Sequence, residues 1–182
     1  MNNTIHLVGI SGSLRSQSYN TMLLNNLQQL LPADMQLKTL SIAALPFYNG
    51  DLDIPQVAER PAAVVAFRNA IAKADALVIV SPEYNYSIPG VLKNAVDWAS
   101  RGDDSPLLQK HVALMGVSNG RWGTVRMQMA FQPVFLALGM IEAKPEVMVA
   151  NGKNVFDEAG KLVDEKIAQL ITKQLTALKQ SL

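Results

Sequence analysis

VIVSPEYNYSIPGVLKNAVD, residues 78–97, carries a strand, a loop and a helix in immediate succession. Residues 76–80, ALVIV, are apolar throughout, as expected of a strand buried on both faces. Leu92, Ala95, Val96 and Ala99 then recur at helical spacing. Between the two, Pro82, Glu83, Tyr84, Asn85, Tyr86 and Ser87 place two aromatic rings and several polar groups where the strand gives way to the helix. Pro89 is expected in the first helical turn, where its fixed φ suits a helix start and its missing N–H costs nothing. Ligands of open α/β sheets bind outside the carboxyl ends of the strands, so this loop is the first place to look for a site.

The same succession repeats on either side. Residues 5–10 (IHLVGI) form a short apolar strand that gives way to SGSLRSQSYN, residues 11–20. From Thr21 onward, Leu23, Leu27, Leu30 and Leu31 share a helical stripe that Pro32 closes. A second strand is expected at 36–40. Residues 41–61 hold three prolines and an Asn-Gly pair, so they read as a long loop, a length that leans toward a functional or interface role. Residues 62–73 read as a helix through Val64, Phe67 and Ile71. After a turn at 102–106, residues 112–117 (VALMGV) form the next strand, with SNGRWG, 118–123, as its exit loop. Met127, Phe131, Val134, Phe135 and Leu138 fall on one helical face, and Pro133 is expected to kink or divide that helix. A last strand near 146–149 and a helix carrying Val163, Ile167, Leu170, Ile171 and Leu178 complete the chain.

No linker, repeat or low-complexity tract interrupts residues 1–182, which read as a single domain. Five strands, each followed by a helix, predict an α/β fold: a five-stranded parallel sheet with helices on both faces, a three-layer α/β/α sandwich. Right-handed crossovers and the length favour strand order 2-1-3-4-5. The chain reverses direction between strands one and three, so the loops beginning at Ser11 and Ser81 border the crevice there.

The chain has no cysteine, which removes disulfides, thiolate metal sites and cysteine nucleophiles together and fits a reducing cytoplasm. Its two histidines, His6 and His111, lie in the first strand and at the mouth of a later one, and read as structural or surface residues rather than metal ligands. Sixteen Lys and Arg against fifteen Asp and Glu leave a net charge of +1, too balanced for a nucleic-acid or polyanion footprint. The first strand is too short and too poor in flanking basic residues for a signal peptide, and no apolar run approaches the roughly 20 residues of a membrane span. The expectation is a soluble cytoplasmic protein with no nucleic-acid partner and no membrane insertion.

Ser13, Arg15, Ser16, Ser18 and Asn20 ahead of a helix have the parts of a phosphate site. Hydroxyls and backbone N–H groups donate, the helix N-terminus adds partial positive charge, and the arginine can pair with a phosphate oxygen. The loop is neither a Walker P-loop nor a dinucleotide G-x-G-x-x-G fingerprint. On composition alone it is either a ligand site or a hydroxyl-rich helix cap. Tyr84, Asn85 and Tyr86 offer a flat heteroaromatic ring an apolar wall and hydrogen bonds at its edge, or else form a turn whose tyrosines cover the sheet edge. The loop over 118–123 is placed to complete the wall, with Trp122 either a stacking group or a structural or interface residue.

GSLRSQSYN at 12–20, followed by PEYNYSIPG at 82–90 and KNAVDW at 93–98, resembles the NADPH-dependent FMN reductase family, and within it the bacterial quinone and chromate reductases. The resemblance runs from the first strand to about Glu146 and rests on two motifs in the correct order, each on its predicted loop. It implies a flavodoxin-like fold that binds FMN noncovalently. Ser13, Arg15, Ser18 and Asn20 would hold the phosphate; Pro82, Glu83, Tyr84, Asn85, Tyr86 and Ser87 would border the isoalloxazine; Ser118 would lie on the third flavin-side loop. Relatives often carry paired glycines before an arginine there, whereas here Gly123-Thr124-Val125-Arg126 follows Trp122, a change in the substrate-side wall.

The activity implied is that of an FMN-dependent oxidoreductase with NADPH or NADH as hydride donor. Small-molecule electron acceptors, namely quinones, azo compounds, flavins and chromate, would take the hydride through flavin N5, with two-electron quinone reduction as the central expectation. No catalytic side chain is then required, and Glu83 reads as a loop-organising group rather than a general base. Arg15, Arg121 and Arg126 are candidates for the donor's phosphates. Relatives form dimers or tetramers, so a homodimer or homotetramer is implied, in contact through the helices after Pro89 and after Gly123. The rival readings are an electron-carrier flavodoxin, against which the near-neutral charge argues, and a redox-sensing binding protein without a small-molecule acceptor of its own.

Overall fold

A parallel sheet in the order β2-β1-β3-β4-β5 forms the middle layer of the computed structural model, in which residues 4–53 and 59–182 are described. Of the loop expected over 41–61, residues 54–58 therefore lie outside the described residues. The elements in chain order are β1 (Ile5–Ser11), α1 (Tyr19–Asn26), β2 (Met35–Thr39), α2 (Ala62–Lys73), β3 (Ala76–Val80), α3 (Gly90–Ala99), β4 (His111–Val117), α4 (Val125–Leu138), β5 (Ile141–Glu142), β6 (Val147–Val149) and α5 (Glu165–Ser181).

Alternation along β3 explains the three layers. Val78 and Val80 pack with Leu23, Leu24 and Leu27 of the first helical segment and with Ile171, Leu175 and Leu178 of α5. Leu77 and Ile79 point the other way, into Phe67 and Ile71 of α2, Leu92 and Ala95 of α3, and Phe131 and Phe135 of α4. A strand buried on both faces has no polar side to show, which is why ALVIV reads as a continuous apolar run.

The last strand expected near 146–149 is β6, and one further short strand, β5, precedes it, so that six strands stand where five were expected and both of the last two pair with β4. Pro145, which has no N–H to donate, interrupts the ladder between them. Two buried glutamines serve carbonyls at the break. Gln174 Nε2 donates to the carbonyls of Leu114 (3.0 Å) and Ala143 (3.3 Å), and Gln128 Nε2 to that of Val147 (2.8 Å).

Pro133 lies inside α4 and Pro89 just ahead of α3. α4 is not divided at Pro133, since Phe131 and Phe135 are both buried and stacked at 5.3 Å across that turn, and packing offsets the lost i→i−4 bond. Pro89 is the residue capping α3, one position before the helix begins. The described part of the 41–61 loop is tied to α3. Pro46 O accepts from Trp98 Nε1 (2.8 Å) and Asn94 Nδ2 (2.9 Å), Asn94 Oδ1 accepts from Tyr48 N (2.7 Å), and the Tyr48 ring meets Trp98 edge-on at 4.9 Å.

Candidate functional site

The carboxyl ends of β1 and β3 are paired through Ser11 and Val80, so the loops that leave them start side by side. The ladder continues past the strands: Gly12 N donates to Val80 O (2.9 Å) and Ser81 N to Met115 O (3.0 Å). Ser81 is wedged between Gly12 and Gly116, where a Cβ would collide with its hydroxyl and its carbonyl respectively. Glycine at these two positions lets three strand ends converge on one crevice. Its walls are Ser13, Arg15, Ser18, Tyr19, Asn20, Pro82, Glu83, Tyr84, Val117, Ser118 and Asn119.

The first loop ends in a capped helix. Ser18 Oγ accepts from the N–H groups of Asn20 (3.2 Å) and Thr21 (3.4 Å), and Ser13 Oγ accepts from Arg15 N (3.3 Å). The N–H groups of Ser16, Gln17 and Tyr19 have no acceptor among the described residues. Arg15 is exposed and has no ion-pair partner among them. Free N–H donors, a hydroxyl proton, a helix N-terminus and an uncommitted guanidinium make an anion cradle of the kind a phosphate monoester requires.

Asn20 does not contribute its amide to that cradle. It is buried, its Oδ1 accepts from Val117 N (2.8 Å) and its Nδ2 donates to Val117 O (3.0 Å). With these two bonds it fastens the first loop to the end of β4.

In the second loop, Tyr84 and Ser87 exchange main-chain bonds of 3.2 and 3.0 Å around a two-residue turn, with Asn85 at φ 47° and Tyr86 at φ 66°. Asparagine tolerates this left-handed region, whereas a non-glycine residue held there costs on the order of 1–3 kcal/mol, a strain that gathers at functional sites. Tyr84 reaches across the crevice, its hydroxyl 3.5 Å from Ser13 Oγ. Asn85, Tyr86 and Ser87 are exposed and stand beyond the crevice walls. Glu83 lines the crevice, but its carboxylate turns to α4: Oε2 accepts from Arg126 N (2.8 Å) and Met127 N (3.2 Å), and Oε1 from Arg126 Nη1 (3.1 Å). These bonds tie the second loop to the first turn of α4.

The third loop is held by Ser118, whose Oγ donates to Gly123 O (2.7 Å) and accepts from Gly120 N (3.2 Å). Trp122 is 61% exposed and lies outside the walls, with Arg121 5.4 Å from its ring centroid. Arg126 is engaged by Glu83 and by the Tyr86 ring, 4.5 Å away, so of the three candidate arginines only Arg15 stands without a side-chain partner among the described residues. Tyr19, Val117 and Asn119 are wall residues that the sequence reading missed. The first sits inside the GSLRSQSYN motif and the others at a strand exit, which was the available signal.

Among the described residues, no group of three His, Asp or Glu side chains is placed to hold a metal ion. A small apolar pocket between the sheet and α2, α3 and α4, lined by residues such as Phe67, Leu92 and Phe131, is a packing gap rather than a site.

Residues 5–154 match the family described as NADPH-dependent FMN reductase. The chain is 45% identical over 181 residues to the NAD(P)H-dependent FMN reductase of Pseudomonas aeruginosa, with 98% of this chain and 96% of that protein covered. It is 41% identical over 180 residues to the quinone reductase of Escherichia coli K12, with 97% and 95% covered. Among solved structures, the flavoenzyme NAD(P)H:(acceptor) oxidoreductase FerB of Paracoccus denitrificans superposes with a TM-score of 0.86 at 31% identity, covering 97% of this chain and 96% of that one.

Proposed function

The chain belongs to the NADPH-dependent FMN reductase family, and from that premise we infer that it is an FMN-dependent NAD(P)H oxidoreductase that reduces quinones. The observation that carries this reading is the junction of an anion cradle and an aromatic turn at one crevice, closed by Tyr84 over Ser13. A mononucleotide with a phosphate at one end and a flat ring at the other fits that pairing. When bound, FMN supplies the hydride relay between nicotinamide donor and acceptor.

In the assignment proposed here, Arg15, the Ser13 and Ser18 hydroxyls and the N–H groups of Ser16 and Gln17 hold the phosphate. Asn20 acts by keeping that loop against β4. Pro82, Tyr84 and Ser118 border the ring, the main chain of Glu83 joins them, and Asn85, Tyr86 and Ser87 form the outer rim that a second planar molecule meets. No side chain is assigned a proton or a nucleophile, since hydride transfer needs placement more than acid–base chemistry. The whole of 1–182 is proposed to act as one FMN-binding domain. The proposed compartment is the cytoplasm, supported by a chain free of cysteine. No helix among the described residues is long and apolar enough to cross a membrane.

We also propose self-association through α4, on which Met129 is 65% and Leu136 86% exposed with Pro133 between them. Apolar groups at this spacing form one stripe on the helix. Azo compounds, free flavins and chromate belong beside quinones in the acceptor panel.

The decisive experiment is rapid mixing of the flavin-loaded protein with NADPH or NADH under anaerobic conditions. The flavin absorbance should bleach and return when benzoquinone is added. Failure to bind FMN in the micromolar range, or flavin that stays oxidised with both donors, overturns the reading.

A further inference from the structure

We propose, resting on the FMN-dependent reading above, that the hairpin over residues 155–163 sets the affinity of the crevice for the phosphate end of the mononucleotide, with Phe156 as the positioning residue for Tyr19. Residues 155–163 lie beyond the stretch that matches the family, and none of them lines the crevice. The hairpin therefore acts through a wall residue and not by touching the ligand.

Tyr19 stands between Ser18 and Asn20 at the first position of α1 and forms part of the crevice wall. It is half-buried, and its hydroxyl has no hydrogen-bond partner among the described residues. Packing fixes the ring instead. Phe156 lies parallel to it, with planes 3° apart and centroids 5.9 Å apart, an offset stack. A Cβ on Gly152 would stand 3.2 Å from the Tyr19 ring and 2.7 Å from the Val117 side chain, so the glycine leaves the room that the ring occupies.

The hairpin that carries Phe156 is anchored at both ends of α1. Within it, Phe156 pairs with Leu162 and Val163 N donates to Val155 O (2.9 Å). Asp157 closes the turn, its carbonyl accepting from Gly160 N (3.0 Å) and its carboxylate from Lys161 N (2.8 Å). At the last residue of α1, Asn26 Nδ2 donates to Gly160 O (2.9 Å) and Asn26 Oδ1 accepts from Leu162 N (3.0 Å). The chain entering the hairpin is tied to the third loop, where Ser118 O accepts from Gly152 N (2.9 Å) and Asn119 Oδ1 from Lys153 N (3.0 Å). An element held in this way imposes the position of the Tyr19 ring. A tyrosine already ordered beside the cradle loses less rotamer freedom when a phosphate enters, and that difference appears as affinity.

The test measures Kd for FMN and for riboflavin, by quenching of flavin fluorescence, in wild type, Phe156→Leu, Tyr19→Leu and the double variant. Phe156→Leu keeps an apolar side chain but removes the stack. It should raise the FMN Kd about threefold to tenfold and leave that of riboflavin, which lacks the phosphate, within about twofold of wild type. In the Tyr19→Leu background the same substitution should cost nothing further. Phe156→Tyr keeps the stack and should keep the wild-type FMN affinity.

Equal losses for FMN and riboflavin overturn the proposal, since the hairpin would then act on the fold as a whole. An unchanged FMN Kd in Phe156→Leu overturns it, as does a loss that persists undiminished once Tyr19 is gone. Where riboflavin binds too weakly to measure, inorganic phosphate competing with FMN replaces it, and its inhibition constant must rise together with the FMN Kd. If the leucine variant does not fold, Phe156→Met takes its place. Failure of the oxidoreductase reading itself would appear in the wild-type protein, as flavin that does not bind or does not bleach, a result separate from any comparison among the variants.

Discussion

Asn20 and Arg15 lie five positions apart in one motif, and the family resemblance would set both at a phosphate, yet their side chains are engaged very differently. The Asn20 amide is committed at both ends to the main chain of Val117, 97 residues away, while Arg15 is exposed and has no ion-pair partner among the described residues. The two substitutions should therefore fail in opposite ways. Asn20→Ala leaves a buried N–H and C=O without partners and should lower apoprotein stability by about 1–3 kcal/mol, read from urea unfolding. Arg15→Ala should leave apoprotein stability within about 0.5 kcal/mol of wild type but weaken FMN binding about tenfold or more, read by quenching of flavin fluorescence. Equal FMN affinity in Arg15→Ala and wild type would remove that arginine from the cradle. The motif names both residues, but the commitment of the Asn20 amide depends on where β4 ends.

At the scale of elements, the end of α3 and the loops beside it are joined by charge. Arg68, almost wholly buried, donates to the carbonyls of Trp98 (2.8 Å) and Ala99 (3.2 Å) and pairs with Asp104 at 2.9 Å; Arg60 reaches Asp104 at 3.3 Å and Asp53 at 2.7 Å. Partial burial pushes the Asp104 carboxyl up, but the hydrogen bond and charge of Arg68, together with those of Arg60, outweigh it and hold the group below its ordinary value of 3.8. A carboxyl depressed in the folded state stabilises the fold above its unfolded pKa and loses that contribution as pH falls through the folded value. The stability gap between wild type and Asp104→Asn should thus be constant at neutral pH and close below about pH 4. Chemical denaturation across pH 2–7 checks this, and because Asp104 is 45% exposed the gap should also shrink in about 0.5 M salt. A gap that widens on acidification would contradict the assignment.

For the whole molecule, the cradle is built from the amino end of α1 and loops from three strands, so a bound ligand ties together parts that separate on unfolding. Added FMN should raise the melting temperature in proportion to the logarithm of its concentration, by the equivalent of about 2.7 kcal/mol at a hundredfold excess over Kd. A melting temperature indifferent to FMN would mean that the crevice does not bind it. The apolar stripe on α4 makes a separate prediction: Leu136→Glu should shift the protein to a smaller species in light scattering while leaving the monomer folded. The order of elements, the two buried faces of β3 and the two loops that border the crevice follow from the sequence, because periodicity, proline and hydroxyl-rich turns act over neighbouring residues. Local signals do not report partners far along the chain, so the short strand β5 ahead of Pro145, the glutamines that serve the break after it and the clamp of Asn20 on Val117 needed the folded molecule. The same holds for SPEYNYSIPG: its sequence determined a loop with aromatic side chains at a strand end, but only packing against α4 decided that Glu83 faces the helix and that Arg126 meets Tyr86.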